Sequence, residues 1–309
     1  MSKSVKDLMK EKSSRQKSLQ FTEKAMPLFF LACAIISILT TFGIVFTLAK
    51  ETVTFFDEVP IREFLTGKEW YPFFKNDPSF GILPLLSGTF LIAGVAMLVA
   101  VPIGLSSAIY LSEYATERTR KIVKPILEVL AGVPTVVYGL FALTFVTPLL
   151  QTVIPNLPIF NALSPGIVVG IMIITQITSL SEEAMGAVPN AMREGALALG
   201  ATRLEVALKV ILPGSLSGII SSVVLGISRA VGETMIVSTA AGSTPKFTLD
   251  VTESIQTMTS YIVQVSMGDA TYGSTIYYSI YAVGMTLFLF TLLMNLLANY
   301  MSRRFREEY

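Results

Sequence analysis

The feature that most constrains this chain is the length of its segments without a charged residue. Val129–Ser181 is 53 residues long without Asp, Glu, Lys or Arg, and Pro78–Ser112 and Ala270–Ser302 are 35 and 33 residues long. A helix needs only about 20 apolar residues to cross a hydrocarbon core about 30 Å thick. Hydrophobic residues make up 52% of the chain. The sequence therefore excludes a soluble protein with a single core and predicts an integral membrane protein.

Charge and composition exclude several functional classes. The formal net charge is only +1, which excludes a nucleic-acid binder, because such proteins carry a strongly basic surface. The chain has no histidine and one cysteine, Cys33. The sequence therefore excludes histidine-dependent nucleophiles, histidine or thiolate metal sites, and internal disulfides. We expect no cofactor.

Six helical spans are predicted, so the expected fold class is an all-α integral membrane protein. The longest charge-free segment holds two spans, because a Pro/Asn-rich stretch at residues 155–161 is a turn signal. The predicted spans cover about 26–49, 81–111, 125–150, 163–181, 216–240 and 276–301, within a membrane domain at 26–302.

The distribution of Lys and Arg predicts the orientation. Seventeen cations lie in the basic segment 1–25, the loop between the second and third spans, the loop 182–214 and the tail 303–309, against five on the opposite side. Loops rich in Lys and Arg stay in the cytoplasm. Both termini and the loop 182–214 are therefore expected to be cytoplasmic.

Arg229 and Glu233 are the charged pair expected deep in a span. Four residues apart on a helix, they would share one face. An arginine at mid-bilayer costs about 2.5–3.5 kcal/mol on insertion scales, so it should face the bundle interior or water. Its planar fork of donors suits an oxyanion. One hypothesis is an anion pathway in which Glu233 positions the guanidinium of Arg229. The alternative is a buried ion pair that only fixes the helix register.

Small residues at every fourth position form a stripe on the same predicted span. They are Gly218, Ser222, Gly226 and Ala230. Such a stripe lets another helix backbone approach closely, so we expect tight helix packing there.

The loop 182–214 is predicted to contain short helices. A helical run at 194–199 is closed by Gly200, the usual residue just past a helix end. Thr202-Arg203-Leu204-Glu205 is a capping box that opens a second helix, and Pro213 with Gly214 ends it. Such a compact element would fit a groove on a partner, although a helical hairpin lying on lipid headgroups is an equally good interpretation.

The same loop resembles the EAA loop of ABC-importer permease subunits. It keeps Glu194, Ala196, Gly200, Leu212 and Pro213 at the family spacing, and departs from it at Gly195, where the family has Ala, and at Val210, where it has Ile. Further strings resemble the PstC-type permease of the phosphate-specific ABC importer. These strings are Phe80–Pro84, Ser87–Thr89, Val101–Gly104, Gly132–Gly139 and Arg229–Thr234.

This resemblance implies a type I importer fold in a bacterial plasma membrane and ATP-driven import of phosphate. The implied partners are a sister permease of the PstA type, a cytosolic ATPase dimer and an extracytoplasmic phosphate-binding protein. By the same resemblance, Arg229 and Glu233 would line the pathway. The residues that would couple the chain to the ATPase are Glu194, Gly195, Ala196, Gly200, Leu212 and Pro213. The chain has no Gly-x-x-x-x-Gly-Lys-Ser/Thr loop, so the subunit is not expected to be an enzyme.

Two rival functions remain open. A sulfate, molybdate or tungstate permease would share the EAA loop, although the Arg229–Thr234 string points to phosphate. A proton-coupled secondary anion carrier would use Arg229 to bind and Glu233 to relay a proton, but it would not need the cytoplasmic helical element.

Aromatic residues are concentrated in the outer loop 50–77. They are Phe55, Phe56, Trp70, Tyr71, Phe73 and Phe74. We expect them to form a belt at the membrane interface rather than a docking surface.

Overall fold

The computed structural model describes residues 5–74, 77–268 and 270–304, with side chains described at Glu23 and from Met26 to Arg303 within those ranges. Residues 1–4 of the predicted basic segment and 305–309 of the predicted tail lie outside the described residues. The chain divides into two compact units, of which the first ends at Glu51 and the second begins at Thr52.

The first unit is helical. Helix α1 runs from Val5 to Glu58, so its last turns belong to the second unit. Its apolar part, Met26–Glu58, is long enough to cross a membrane. Large apolar side chains such as Leu28, Phe42 and Phe46 are exposed, which is the surface that lipid would cover.

The second unit is helical apart from one small sheet. Two-residue strands β1 (Trp70–Tyr71) and β2 (Ser79–Phe80) pair antiparallel, with Trp70 opposite Phe80, and are the only strands in the described ranges. The helices are α2 (Ile61–Thr66), α3 (Leu83–Ile109), α4 (Glu117–Ala131), α5 (Thr135–Phe141), α6 (Thr147–Val153), α7 (Leu163–Gly186), α8 (Asn190–Ala198), α9 (Arg203–Val206), α10 (Leu212–Gly214), α11 (Leu216–Gly232), α12 (Met235–Ala240), α13 (Met258–Met267) and α14 (Thr275–Arg304). Turns of π-helix continue α3 at Tyr110–Tyr114, α5 at Ala142–Val146 and α9 at Ala207–Ile211.

The predicted all-α membrane fold is confirmed. Five helices in the described part of the chain are long and apolar enough to span a membrane. The count is six if the bent pair Arg203–Gly214 and Leu216–Gly232, which meet at 72°, forms one span.

Two predicted spans are not single helices. The segment 125–150 breaks after Ala131, because Pro134 disfavours helical backbone at Val133, and helix resumes at Thr135. The segment 216–240 breaks after Gly232, where Glu233 is extended with ψ of 133°. Both breaks lie within apolar sequence, so a search for uncharged runs does not detect them.

Helices α3, α7 and α11 pack closely at the centre of the second unit. The predicted small-residue stripe on α11 faces α7. A Cβ atom at Gly218 would lie 2.3 Å from the Ala184 Cβ atom, and the Ser222 and Ser181 hydroxyl oxygens are 2.8 Å apart. The expected close approach is therefore confirmed, and it fixes the position of Arg229 near the end of α11.

Aromatic residues form a buried cluster at the end of the bundle opposite α8–α10. The buried members are Phe55, Phe64, Trp70, Phe80 and Tyr261. The expectation of a membrane-interface belt is therefore wrong for Phe55 and Trp70, because they are buried within the second unit among the last turns of α1, α2, the sheet and α13. Tyr71, Phe73 and Phe74 remain exposed.

Candidate functional site

A cavity of about 430 Å³, lined by both polar and apolar residues, lies between α4, α7 and α11. Its lining from α7 recurs every three or four residues, which places it on one face of that helix. The α7 residues are Thr175, Gln176, Ser179, Leu180, Glu182 and Glu183. Residues of α4 face them from the other side, and Arg229 enters from α11. The α4 residues are Lys124, Leu127, Glu128 and Ala131. This volume lies in the range of small-molecule sites, about 300–1,000 Å³.

Arg229 is partly buried in this cavity and has a neutral partner. Its Nη1 donates to Oε1 of Gln176 over 3.3 Å. An amide oxygen accepts a hydrogen bond without cancelling the positive charge. The guanidinium is therefore oriented but remains cationic, which is the electrostatic condition for binding an anion.

Glu233 does not hold Arg229, contrary to the predicted pairing. Among the side chains that the structure describes, no ion pair joins the two residues. The carboxylate instead accepts from the backbone N–H groups of Met235 and Ile236, at 3.1 and 3.3 Å. It caps α12, since a carboxylate near a helix N-terminus satisfies donors that have no intrahelical partner. The break after Gly232 removes the helical spacing that the prediction required.

Carboxylates line the cavity towards the end of the bundle that carries α8–α10, here called the loop end. Glu182 is buried and forms ion pairs with Lys124 at 2.7 Å and with Arg120 at 3.8 Å. Glu128 and Glu183 are exposed. Gln176 and Glu183 are seven positions apart on α7, which is about 10 Å along the helix. The cavity therefore has a cation, Arg229, at Gln176 and the carboxylates of Glu182 and Glu183 nearer the loop end.

The predicted local structure of the loop 182–214 is confirmed. Gly200 follows α8 with φ of +87°, a left-handed conformation that glycine adopts without steric cost. Thr202 and Glu205 form the complete capping box at the start of α9. The backbone N–H of Ala201 donates to the Ala196 carbonyl at 3.1 Å. These contacts make the loop a compact helical element.

The six predicted coupling residues share this element but differ in exposure. Glu194, Gly195, Gly200 and Pro213 are exposed, whereas Ala196 and Leu212 are partly buried and pack on an apolar cluster shared with α3 and α7. The exposed residues would be accessible to a partner, and the partly buried ones attach the loop to the helices.

Several polar residues of the site were not predicted. Gln176 is the only amide side chain in the predicted span 163–181. A single amide within an apolar span could have indicated a polar site on that helix. Glu182 and Lys124 lie at the ends of predicted spans, where charged residues are common and carry little information. Glu113 and Arg193 form a further ion pair at 3.3 Å, which joins residues that are distant in sequence.

Apolar helices around a cavity that contains polar side chains, with a bent helical loop at one end, define a multi-pass membrane protein with an internal polar site. The chain belongs to the family of binding-protein-dependent transport system inner membrane components, which matches residues 100–307. It is 34% identical over 294 residues to the probable ABC transporter permease protein YqgH of Bacillus subtilis, covering 94% of each chain. It is 32% identical over 263 residues to the phosphate transport system permease protein PstC of Mesorhizobium japonicum, covering 78% of each. The predicted resemblance to PstC-type permeases is confirmed.

Solved structures show the same fold. A bacterial ABC transporter involved in the import of alginate aligns with a TM-score of 0.64 and 16% identity, over 94% of this chain and 100% of that one. The MetNI methionine ABC transporter, in an inward-facing conformation, aligns with a TM-score of 0.53 and 16% identity, over 74% and 95%. The chain therefore has the type I ABC-importer permease fold. Its family and its long apolar helices make it a multi-pass protein of the bacterial inner membrane.

Proposed function

We propose that this chain is the membrane-spanning subunit of an ATP-driven importer that carries inorganic phosphate into the cytoplasm. The observation that carries the proposal is the cationic Arg229 at a cavity, where its hydrogen-bond partner among the described side chains is the neutral Gln176. Relatives named as phosphate transport permeases, 32–35% identical to this chain, support phosphate as the cargo.

The cavity chemistry suits transient binding of an oxyanion. One N–H group of Arg229 donates to Gln176, and a guanidinium has five such donors in a planar fork. The remaining donors match two oxygens of a tetrahedral anion. Glu183 would repel an anion nearer the loop end of the cavity, so phosphate would bind near Arg229 and would not be retained at the exit. Glu233 serves this pathway indirectly, by capping α12 and keeping the chain extended after Arg229.

The loop end faces the cytoplasm in this proposal, as the distribution of Lys and Arg predicts. The coupling surface is formed by Glu194, Gly195, Ala196, Gly200, Leu212 and Pro213. A separate ATPase dimer would bind this surface and hydrolyse ATP, so the chain itself is a conduit.

The remaining partners are a sister permease of the PstA type and an extracytoplasmic phosphate-binding protein. A structure of similar fold, the bacterial alginate ABC transporter, is in complex with its periplasmic protein. An equivalent complex on the face opposite the loop end is consistent with the family to which this chain belongs.

The test is phosphate uptake by the assembled complex in proteoliposomes, with ATP held constant and the proton gradient collapsed. Sulfate and molybdate are added separately as competitors. We expect uptake to persist without the gradient and to be inhibited only by excess unlabelled phosphate. Loss of uptake with the gradient would show a proton-coupled carrier, and inhibition by sulfate or molybdate would show a different oxyanion as cargo.

A further inference from the structure

Arg193 connects α8 of the loop to the end of α7. Its Nη2 donates to the Met185 carbonyl and its Nη1 to the Val188 carbonyl, both at 2.6 Å. These carbonyls lie at and just beyond the C-terminal end of α7, where a helix leaves acceptors without intrahelical partners. Nη1 also donates to Oδ1 of Asn190 at 3.1 Å. The side chain therefore fixes the first turns of α8 to the last turn of α7.

The same guanidinium also reaches the end of α3. Its Nε and Nη2 each lie 3.3 Å from Oε1 of Glu113, which belongs to the π-helical turn that continues α3. The exposed fractions of the Arg193 and Glu113 side chains are only 16% and 9%. One side chain thus joins the loop to two long apolar helices.

An apolar cluster also holds the loop, α3 and α7 together. Its buried members include Ala108 of α3, Met185 of α7 and Val206 of α9. Apolar contact is non-directional, whereas hydrogen bonds require defined distances and angles. Arg193 therefore supplies directional contacts between the loop and both helices.

Helices α3 and α7 are themselves packed as a pair. A Cβ atom at Gly170 of α7 would lie 2.8 Å from the Ala96 carbonyl oxygen of α3, and Thr178 of α7 donates to the Gly104 carbonyl at 3.2 Å. Gln176, the partner of Arg229, lies on α7. A displacement applied to the end of α7 is therefore applied to one wall of the cavity.

We propose that Arg193 and Glu113 form the joint through which the loop moves α3 and α7 together. Arg193 is thus a positioning residue, because it acts through α3 and α7 and does not touch the cargo. This inference rests on the proposed coupling of the loop to an ATPase.

The functional test is the ratio of phosphate taken up to ATP hydrolysed by the complete complex. We expect Arg193→Ala to lower this ratio at least tenfold while the ATPase still co-purifies in the wild-type amount. Arg193→Lys should give an intermediate ratio, because an ammonium group cannot present a planar fork to two carbonyls and a carboxylate. Arg118→Ala, an exposed change on α4, should leave the ratio unchanged.

A second variant covers the case in which Arg193→Ala does not assemble. Glu113→Gln lies outside the loop, so it does not alter the surface offered to the ATPase, and it removes the charge from the joint. We expect it to lower the ratio several-fold. An unchanged ratio in whichever of these variants assembles would overturn the proposal.

A distance measurement tests the joint without reference to the cargo. Spin labels are placed at Ala198 and Tyr110 in a chain that carries Cys33→Ala. The two labelled positions are exposed on α8 and on the turn that follows α3. In the otherwise unmodified complex, the distance should be the same with and without ATP and vanadate, because the two elements move together. In Arg193→Ala it should change or broaden on adding nucleotide.

The two readouts separate the two hypotheses. A distance that changes with nucleotide in the otherwise unmodified complex, or a distance in Arg193→Ala that stays narrow and unchanged, would overturn the joint. Absence of phosphate uptake by the wild-type complex would refute the proposed cargo, and the label distance would still decide whether the joint exists.

Discussion

Arg229 and Arg193 are both partly buried arginines next to α7, yet their surroundings differ. Arg193 donates to two carbonyls, an amide and a carboxylate, so its charge is neutralised and its fork is occupied. Arg229 donates to one amide. The difference separates an arginine that holds structure from one that remains available to a ligand.

The available arginine is energetically the less favourable of the two. A buried charge without a counter-charge loses hydration that no partner replaces. Arg229 is only partly buried, and it borders a cavity of about 430 Å³ that is large enough for water, which lowers that cost. A neutral partner in such a place is the arrangement expected when the counter-charge is the transported anion.

Among the changes that test this difference, Arg229→Gln should lower phosphate uptake the most. The anion would lose two charge-assisted hydrogen bonds, each worth about 1.5–3 kcal/mol, so phosphate uptake should fall roughly 100-fold or more. The measurement is the initial rate of radiolabelled phosphate uptake by proteoliposomes. Arg229→Lys, which keeps the charge but not the fork, should retain part of the rate. Wild-type uptake by an assembled Arg229→Gln complex would reduce Arg229 to a structural residue.

Gln176→Glu should make Arg229 resemble Arg193. A carboxylate at this distance would form an ion pair and compete with the incoming anion, so uptake should fall roughly 10-fold, which corresponds to about 1.4 kcal/mol. Gln176→Met, of similar length and without charge, is the matched control and should stay within about threefold of wild type. An equal loss in both variants would show that the hydrogen bond matters and the neutrality of position 176 does not.

The loop contains two glycines that should respond differently to alanine. Gly200 has φ of +87° and Gly195 is helical, and a Cβ atom would meet nothing within 4 Å at either position. Gly200→Ala should cost about 1–2 kcal/mol of backbone strain and reduce ATPase co-purification several-fold. Gly195→Ala should stabilise α8 by about 1 kcal/mol and keep the ATPase bound. Equal retention of the ATPase by both variants would contradict a role for the bend at Gly200.

The smallest expected effect concerns the capping box of α9. Hydrogen bonds from the Thr202 backbone N–H, and then the neighbouring Lys209, lower the pKa of Glu205 from 4.5 to about 2. A lowered folded-state pKa stabilises the box above pH 4.5, and this contribution is lost as the pH falls from 4.5 towards 2. Hydrogen exchange at the Thr202 and Glu205 amides, corrected for the intrinsic rate, should show protection falling in that range.

Glu205→Gln is the control for that titration, since an amide oxygen can still accept from Thr202 but does not ionise. Protection in this variant should be independent of pH between 4.5 and 2. If the wild-type protein showed the same pH-independent protection, ionisation of Glu205 would contribute nothing to the start of α9.

Local features of this chain could be predicted because the interacting residues are neighbours in sequence. The capping box joins residues three apart, and the bend at Gly200 depends on one backbone conformation. The stripe on α11 predicted a close helix contact, because small side chains at every fourth position leave room on one face. It did not identify α7 as the helix in contact.

The sequence by itself determined a helical membrane protein, the short helices of its loop and the location of an arginine within an apolar segment. Only the tertiary structure decided the partners of its charges. Gln176 meets Arg229 across 53 residues, and Glu113 meets Arg193 across 80. Glu233 lies only four residues from Arg229 in sequence, yet the helix break after Gly232 directs its carboxylate to the start of α12. The physical reason is that uncharged runs and periodicity report whether a segment suits lipid, whereas the pairing of charges depends on which helices pack together and where each one breaks.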